Sequence, residues 1–404
     1  MPDKCGWNIS AAFYIDYNPL FRKMKLPDKG FKMQKLQYIA VVTGIITAFS
    51  AHAGEWDWDV SGHAQGLYGY TEAPQRFDEH NKFNNGNGSG EINFSSAYAF
   101  DDDYAVSMNL DINGGIDQEL ESYNQGRWGE EAYAIGDTPY GRIMLGQTYN
   151  VDAQLSEGAP NVGALSSNNQ VVNFISNPNW KRNGKTTKFA TLNTTYINTD
   201  GVAPKISYIS PDFYDTVIGV SYIPEIYNRR GLVSKYADYK NADGWVASIY
   251  TTRDLEIVEL KASTGYAQFN NDDKEISINA QLTRGNWSLG GGFRKTYIDG
   301  QHERTEPVTP QAPELFDGYR EGEAWNVGIG YEIGPFKSSV SYFEAKAVNS
   351  DNKDKIIAFS NQYQLSKYAE IYAAVAHADF EGADHSKADN NQGYATIVGL
   401  GLKF

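Results

Sequence analysis

The chain closes with Tyr394-Ala395-Thr396-Ile397-Val398-Gly399-Leu400-Gly401-Leu402-Lys403-Phe404. In an extended strand successive side chains point to opposite faces. Tyr394, Thr396, Val398, Leu400, Leu402 and Phe404 therefore share one face, and none of them is charged. The same period of two recurs upstream. Trp325, Val327, Ile329, Tyr331 and Ile333 alternate with Ala324, Asn326, Gly328, Gly330 and Glu332. Ile276, Ile278, Ala280 and Leu282 alternate with Ser277, Asn279, Gln281 and Thr283, and Tyr104 to Ile112 behaves likewise. Runs of about 10 residues with one uncharged apolar face and one polar face are what a strand between lipid and water requires. A packed soluble sandwich would favour Val, Leu and Ile on that face over Tyr and Trp.

Counting outward from these segments predicts sixteen strands. They fall near 56–70, 90–100, 104–112, 128–136, 141–149, 204–210, 216–223 and 243–251, then 255–266, 275–283, 287–297, 322–332, 336–348, 355–364, 369–379 and 392–404. Their connections differ in length. Short turns such as 101–103, 137–140, 252–254, 284–286 and 366–367 fall on one side. Long connections such as 71–89, 150–203, 224–242 and 298–321 fall on the other. The expected fold is all-β: a 16-stranded antiparallel transmembrane β-barrel with short periplasmic turns and long external loops. Trp56, Trp58, Trp128, Tyr149, Trp245, Trp287, Trp325 and Phe404 lie near strand ends, as interfacial aromatic girdles do.

Composition agrees. Of 404 residues, 28 are Tyr and 39 Gly, with 35 Lys+Arg against 50 Asp+Glu and a net charge of −15. An acidic chain with no basic block argues against a nucleic-acid partner. The single cysteine, Cys5, excludes a disulfide framework and a cysteine-based metal cluster. Lys32 and Lys35 precede the apolar run Tyr38 to Phe49, followed by Ala51-His52-Ala53. That is the layout of a secretory signal, too short for a membrane anchor. The expected organisation is an upstream extension over 1–32, a signal peptide over 33–53 starting at Met33, and the barrel over 54–404. Cleavage there takes away seven basic and three acidic residues, and the net charge becomes −19.

With these segments in place the chain resembles the Gram-negative general porins. The resemblance covers nearly all of 54–404. It is carried by Asp59-Val60-Ser61-Gly62-His63-Ala64-Gln65-Gly66, by Glu131 to Gly136 with Tyr140 to Gln147, by Lys205 to Phe213, and by the terminal Phe404. It implies a homotrimer in the outer membrane, among outer-membrane lipid and lipopolysaccharide, through which small hydrophilic solutes diffuse passively. It also implies that the third long loop folds inward to narrow the pore, and that the barrel-assembly machinery reads Phe404.

The chemistry expected of such a pore is electrostatic. Residues 150–203 are the longest connection, and loops of that length are usually functional. Asp152 and Glu157 in its first part match the acidic loop side of the family. On the opposing wall the chain departs from the family: alignment by eye puts Glu91 and Glu130 where Arg is common and His63 at the basic position of the first strand. Asp111 shares their lumen parity. The remaining basic wall candidates are Lys205, Lys261 and Arg294, joined by Lys188 in a late-loop cluster with Lys181, Arg182 and Lys185. Two or three unbalanced carboxylates would give a cation preference that salt weakens. A sugar- or phosphate-selective pore and a plugged adhesin or receptor barrel are the alternatives. Catalysis is not expected: the six His are dispersed, and no motif flanks them. No cofactor or metal is called for. The glycine run Asn84 to Gly90 lacks the Lys-Ser/Thr of a phosphate cradle and reads as an external loop.

Overall fold

The computed structural model describes residues 56–73, 85–101, 103–116, 131–162, 171, 174–175, 177, 181–182, 185–186, 191–224, 243–269, 273–297, 321–348, 352–382 and 390–404. Sixteen antiparallel strands close into a barrel. They are β1 Trp56–Glu72, β2 Asn85–Ala99, β3 Ala105–Ile116, β4 Glu131–Thr138, β5 Gly141–Gln147, β6 Pro204–Ile209, β7 Thr216–Ile223 and β8 Gly244–Asp254. The second half comprises β9 Glu259–Phe269, β10 Asp273–Arg284, β11 Trp287–Tyr297, β12 Gly322–Ile333, β13 Phe336–Ala347, β14 Lys353–Ser366, β15 Ala369–Glu381 and β16 Asn391–Lys403. Each strand pairs with its neighbours in sequence. The ring is completed by β16 against β1, with His63 opposite Lys403 and Glu72 opposite Tyr394. Closure removes every sheet edge, which hydrocarbon demands because it offers no hydrogen bonds to an unpaired backbone.

The two faces of the wall have opposite chemistry. Val60, Ile143, Leu145, Ile218, Ile278, Leu289, Val340, Phe359, Val398, Leu400 and Leu402 all stand exposed on the outside. Their neighbours in sequence, such as Ser277, Asn279, Ser339, Ser341 and Ser360, are polar and point inward. So large an apolar surface fits a lipid-facing wall. Aromatic pairs mark both of its limits. Trp56 with Tyr98 and Trp287 with Tyr331 stack at the short-turn end, with ring centroids 5.2 and 4.6 Å apart. Trp245 with Tyr266 and Trp325 with Tyr342 do so at the other end, at 5.2 and 5.1 Å. Outward charges on β11–β15 gather beyond that second girdle. Lys353 meets Glu344 at 3.0 Å and Lys355 meets Glu381 at 2.7 Å, where a charge escapes the cost of the bilayer midplane.

The expected strand count is observed, with two local corrections. The glycine run does not form a loop: β2 begins at Asn85, and Gly86, Gly88 and Gly90 pair with Tyr68, Gly66 and Ala64. β9 starts at Glu259 instead of 255. The chain before it turns through Glu256, whose φ of 65° is left-handed, and the Glu256 amide donates to Asp254 at 2.9 Å.

β5 and β6 are the shortest barrel strands, at 7 and 6 residues. Between them the chain leaves the wall and turns into the barrel. Gly146 marks the departure: its φ is +137°, and a Cβ there would stand 2.4 Å from the Ala132 carbonyl oxygen. Only glycine fits that conformation and that gap.

Candidate pore constriction

Inside the barrel, described residues of the connection from Thr148 to Ala203 are held against the wall. It opens with a one-turn helix, α1, Val151–Leu155. The Asn150 side chain caps this helix by accepting from the amides of Asp152 and Ala153, and its own amide group donates to Ile197 O at 2.9 Å. α1 lies on β7–β9. Val151 occupies the space above Gly219, and the Asp152 carboxylate occupies the space above Gly265, where an added Cβ would stand 2.1 Å from Oδ1.

Asp152, expected at the constriction, is instead wholly buried. Its carboxylate accepts from the Ile197 amide at 2.7 Å, from Ser277 Oγ at 2.8 Å and from Ser248 Oγ at 3.1 Å. It therefore ties α1 to β8, β10 and the returning limb of the loop. Burial pushes its carboxyl up from the ordinary aspartate range, against the opposing pull of those donors and of Arg294.

Two expected wall cations also turn out to be fasteners. Arg294 on β11 is buried and spends all five donors. Nε and Nη2 donate to Glu275 Oε2 at 3.0 and 2.7 Å, Nη1 to Thr194 Oγ1 at 2.8 Å and Asn198 Oδ1 at 2.6 Å, and Nη2 also to Thr199 Oγ1 at 2.8 Å. Lys205 on β6 is buried too. It pairs with Asp200 at 3.0 Å and donates to Gly201 O at 3.0 Å and to Thr148 O, closing the base of the loop. Sequence parity correctly turned both side chains inward; what covers them is the loop itself.

Further along, the loop crosses β9–β14. Gln281 Nε2 donates to Gly158 O at 3.2 Å, and the Val162 amide donates to Ser339 Oγ at 3.0 Å. On the return, Asn279 Nδ2 donates to Thr195 O at 3.2 Å. Asp354 on β14 accepts from Asn177 at 2.8 Å and from Thr191. Beyond this point the packing is dry: Val171, Phe174, Ile175 and Leu192 bury themselves against Ile356, Ala374, Ala376, Ala395 and Ile397. The Phe174 ring fills the place a side chain on Gly69 would take.

Glu157 and Lys261 do meet, as a loop carboxylate and a wall cation, at 3.5 Å with both side chains partly exposed. The wall formed by β2–β4 and the first half of β1 carries the other residues. His63 and Glu91 are directly opposite on β1 and β2. Asp111 lies between Asn93 and Glu131 on the neighbouring strands. Glu131 Oε2 accepts from Thr148 Oγ1 at 2.7 Å. Glu130 and Lys188 lie outside the described residues. Phe404 packs its ring over Gly62 and exchanges both backbone hydrogen bonds with it at 3.0 Å.

Sequence reasoning missed three lumen pairs. Arg142 meets Asp137 at 2.7 Å, Lys337 meets Glu332 at 3.0 Å, and Lys403 meets Glu370 at 2.6 Å. Parity alone could have placed each cation in the lumen. Thus every Lys or Arg on the lumen face of a described strand, namely Arg142, Lys205, Lys261, Arg294, Lys337 and Lys403, has a carboxylate partner. Asp57, Asp59 and Glu91 face the same lumen without a cation within ion-pair distance among the described residues.

Comparison with known proteins agrees with this architecture. The anion-selective porin from Comamonas acidovorans superposes with a TM-score of 0.57 at 15% identity, covering 87% of this chain and 100% of that one. OmpT of Vibrio cholerae lacking loop L8 gives 0.55 at 11% identity, covering 86% and 99%. In vitro folded OmpT in its trimer form gives 0.53 at 11%, again over 86% and 99%. At such identities these likenesses show the fold alone. No curated protein matches the sequence. A family model for Gram-negative porins matches residues 39–383. The chain therefore belongs to the Gram-negative porin family, as a channel of the outer membrane.

Proposed function

We propose that this porin passes small hydrophilic solutes and ions by passive diffusion, with a preference for cations. One observation carries the preference: among the described residues, the Lys and Arg on the lumen face of the strands are matched by carboxylates, whereas Asp57, Asp59 and Glu91 have no cation within ion-pair distance. A unit charge about 6 Å from a permeating ion in a water-like medium shifts its energy by roughly 0.7 kcal/mol, or about threefold in local concentration. Fixed negative charges along the wall therefore enrich cations and deplete anions. Glu91 and Asp111 on the wall and Glu157 on the loop contribute to that negative charge, with Lys261 softening the effect of Glu157. The anion selectivity of the Comamonas acidovorans porin belongs to that protein, and 15% identity does not extend it here.

Zero-current potentials in a KCl gradient test the sign. A potential on the cation side supports this reading, and one on the anion side removes it.

The chain works as a homotrimer on this reading, as OmpT does in its trimer form. Conductance closing in three equal steps is the expected record. Cleavage after Ala53 gives a mature chain beginning at Gly54, which intact-mass measurement checks. The outward lysines beyond the upper girdle, Lys295, Lys346, Lys353 and Lys355, stand at headgroup depth and suit lipopolysaccharide phosphates. Phe404, exposed at the outer face of the seam, serves the barrel-assembly machinery.

A further inference from the structure

We propose that His63 sets the pore's ion selectivity as a function of pH. The inference takes its direction from the cation-preferring reading above, while its own test concerns one side chain. His63 is exposed on the lumen face of β1, between Lys403 on β16 and Glu91 on β2. Residues directly opposite in adjacent strands have Cβ atoms about 4.5–5.5 Å apart. The groups facing the imidazole can be enumerated by element. On β1 they are Asp59 and Gln65, two steps away along the same face to either side. On β2 it is Glu91. On β16 it is Lys403, which Glu370 of β15 holds at 2.6 Å, with Gln362 Nε2 of β14 also donating to Glu370 at 2.6 Å.

Lys403 and Glu370 cancel each other. What remains of this row is one histidine and one carboxylate, and the row's net charge is decided by the imidazole. Neutral, it leaves Glu91 as an uncompensated negative charge on the wall. Protonated, it brings the row to zero. Histidine side chains change charge between about pH 5 and 8, whereas carboxylates ordinarily do so near pH 4. Protonating the imidazole therefore adds one unit of positive charge to the lumen wall, making its net charge less negative by one. One unit changes cation and anion concentrations about threefold in opposite senses, which is about a tenfold change in the cation-to-anion ratio at low ionic strength.

The experiment measures zero-current potentials of the purified mature channel in planar bilayers, in a dilute KCl gradient, at pH 8 and pH 5. The wild type is expected to lose about tenfold in its cation-to-anion permeability ratio on acidification. His63→Gln is expected to keep its pH 8 ratio at pH 5, and His63→Lys to show the reduced ratio at both. An equal fall in wild type and His63→Gln overturns the inference, as does a His63→Lys channel matching wild type at pH 8. Should the wild type prefer anions at pH 8 yet shift further toward them on acidification only when His63 is present, the inference stands and the cation reading fails. The two are thus told apart in one set of measurements.

Discussion

Arg294 shows how a single side chain can hold a long loop in place. Its guanidinium, itself buried, joins Glu275 of the wall to Thr194, Asn198 and Thr199 of the returning limb. Removing one member of a buried pair strands the other, at about 3–5 kcal/mol. Arg294→Met is therefore expected to lower the temperature of loop release by several degrees and to raise channel noise. Adding Glu275→Leu to that variant is expected to recover much of the loss, measurable by calorimetry alongside single-channel recording. Asp152 adds a pH dependence of definite sign. Because burial raises its carboxyl above the unfolded value, its contribution is complete below the ordinary aspartate range near pH 4 and declines as pH rises through the raised value. The difference in thermal stability between wild type and Asp152→Asn is expected to change in that window and to stay flat above it.

At the scale of elements, the strands were legible because alternation is a local property, written in consecutive residues. β12 and β16 could be drawn from side-chain chemistry alone. The start of β2 could not, since Gly86, Gly88 and Gly90 have no side chains with which to declare a face. The site was legible in parity and illegible in burial. Asp111, Lys205, Lys261 and Arg294 point inward as expected. Whether an inward side chain meets water or the loop depends on contacts across more than ninety residues, such as Arg294 with Thr194, and no spacing encodes them. α1 makes the same point from the opposite side, because Gly265 looks unremarkable until Asp152 is seen to fill the space above it. Gly265→Val is expected to lift α1 from β7–β9 while sparing the sheet. Lifting α1 off the wall moves it into the lumen, so a smaller unitary conductance with unchanged strand content by circular dichroism would check this; a conductance equal to wild type would contradict the seating of α1.

Across the whole molecule, the described residues of the loop fasten to β7–β14 and pack dry against β14–β16, so among the described residues the contacts of the loop gather away from the wall of β2–β4 with the first half of β1. Ions are therefore steered chiefly by that wall and by the loop face opposite it. The Lys261–Glu157 pair joins β9 to that loop face, and its partly exposed partners at 3.5 Å leave the Glu157 charge only partly cancelled. Lys261→Gln removes the compensation without unfastening the loop, which Asp152, Arg294 and Lys205 hold independently. The cation-to-anion ratio is expected to rise about tenfold in Lys261→Gln and to fall about tenfold in Glu91→Gln. Both changes are expected to shrink between 0.1 M and 1 M salt, where the screening length falls from about 10 Å to about 3 Å. Fixed charge acts through space and fades with screening, whereas a bottleneck of shape would keep its selectivity at every ionic strength. Reversal potentials of the two variants at both concentrations separate these cases, and a ratio indifferent to salt would assign selectivity to the dimensions of the gap instead of its charge.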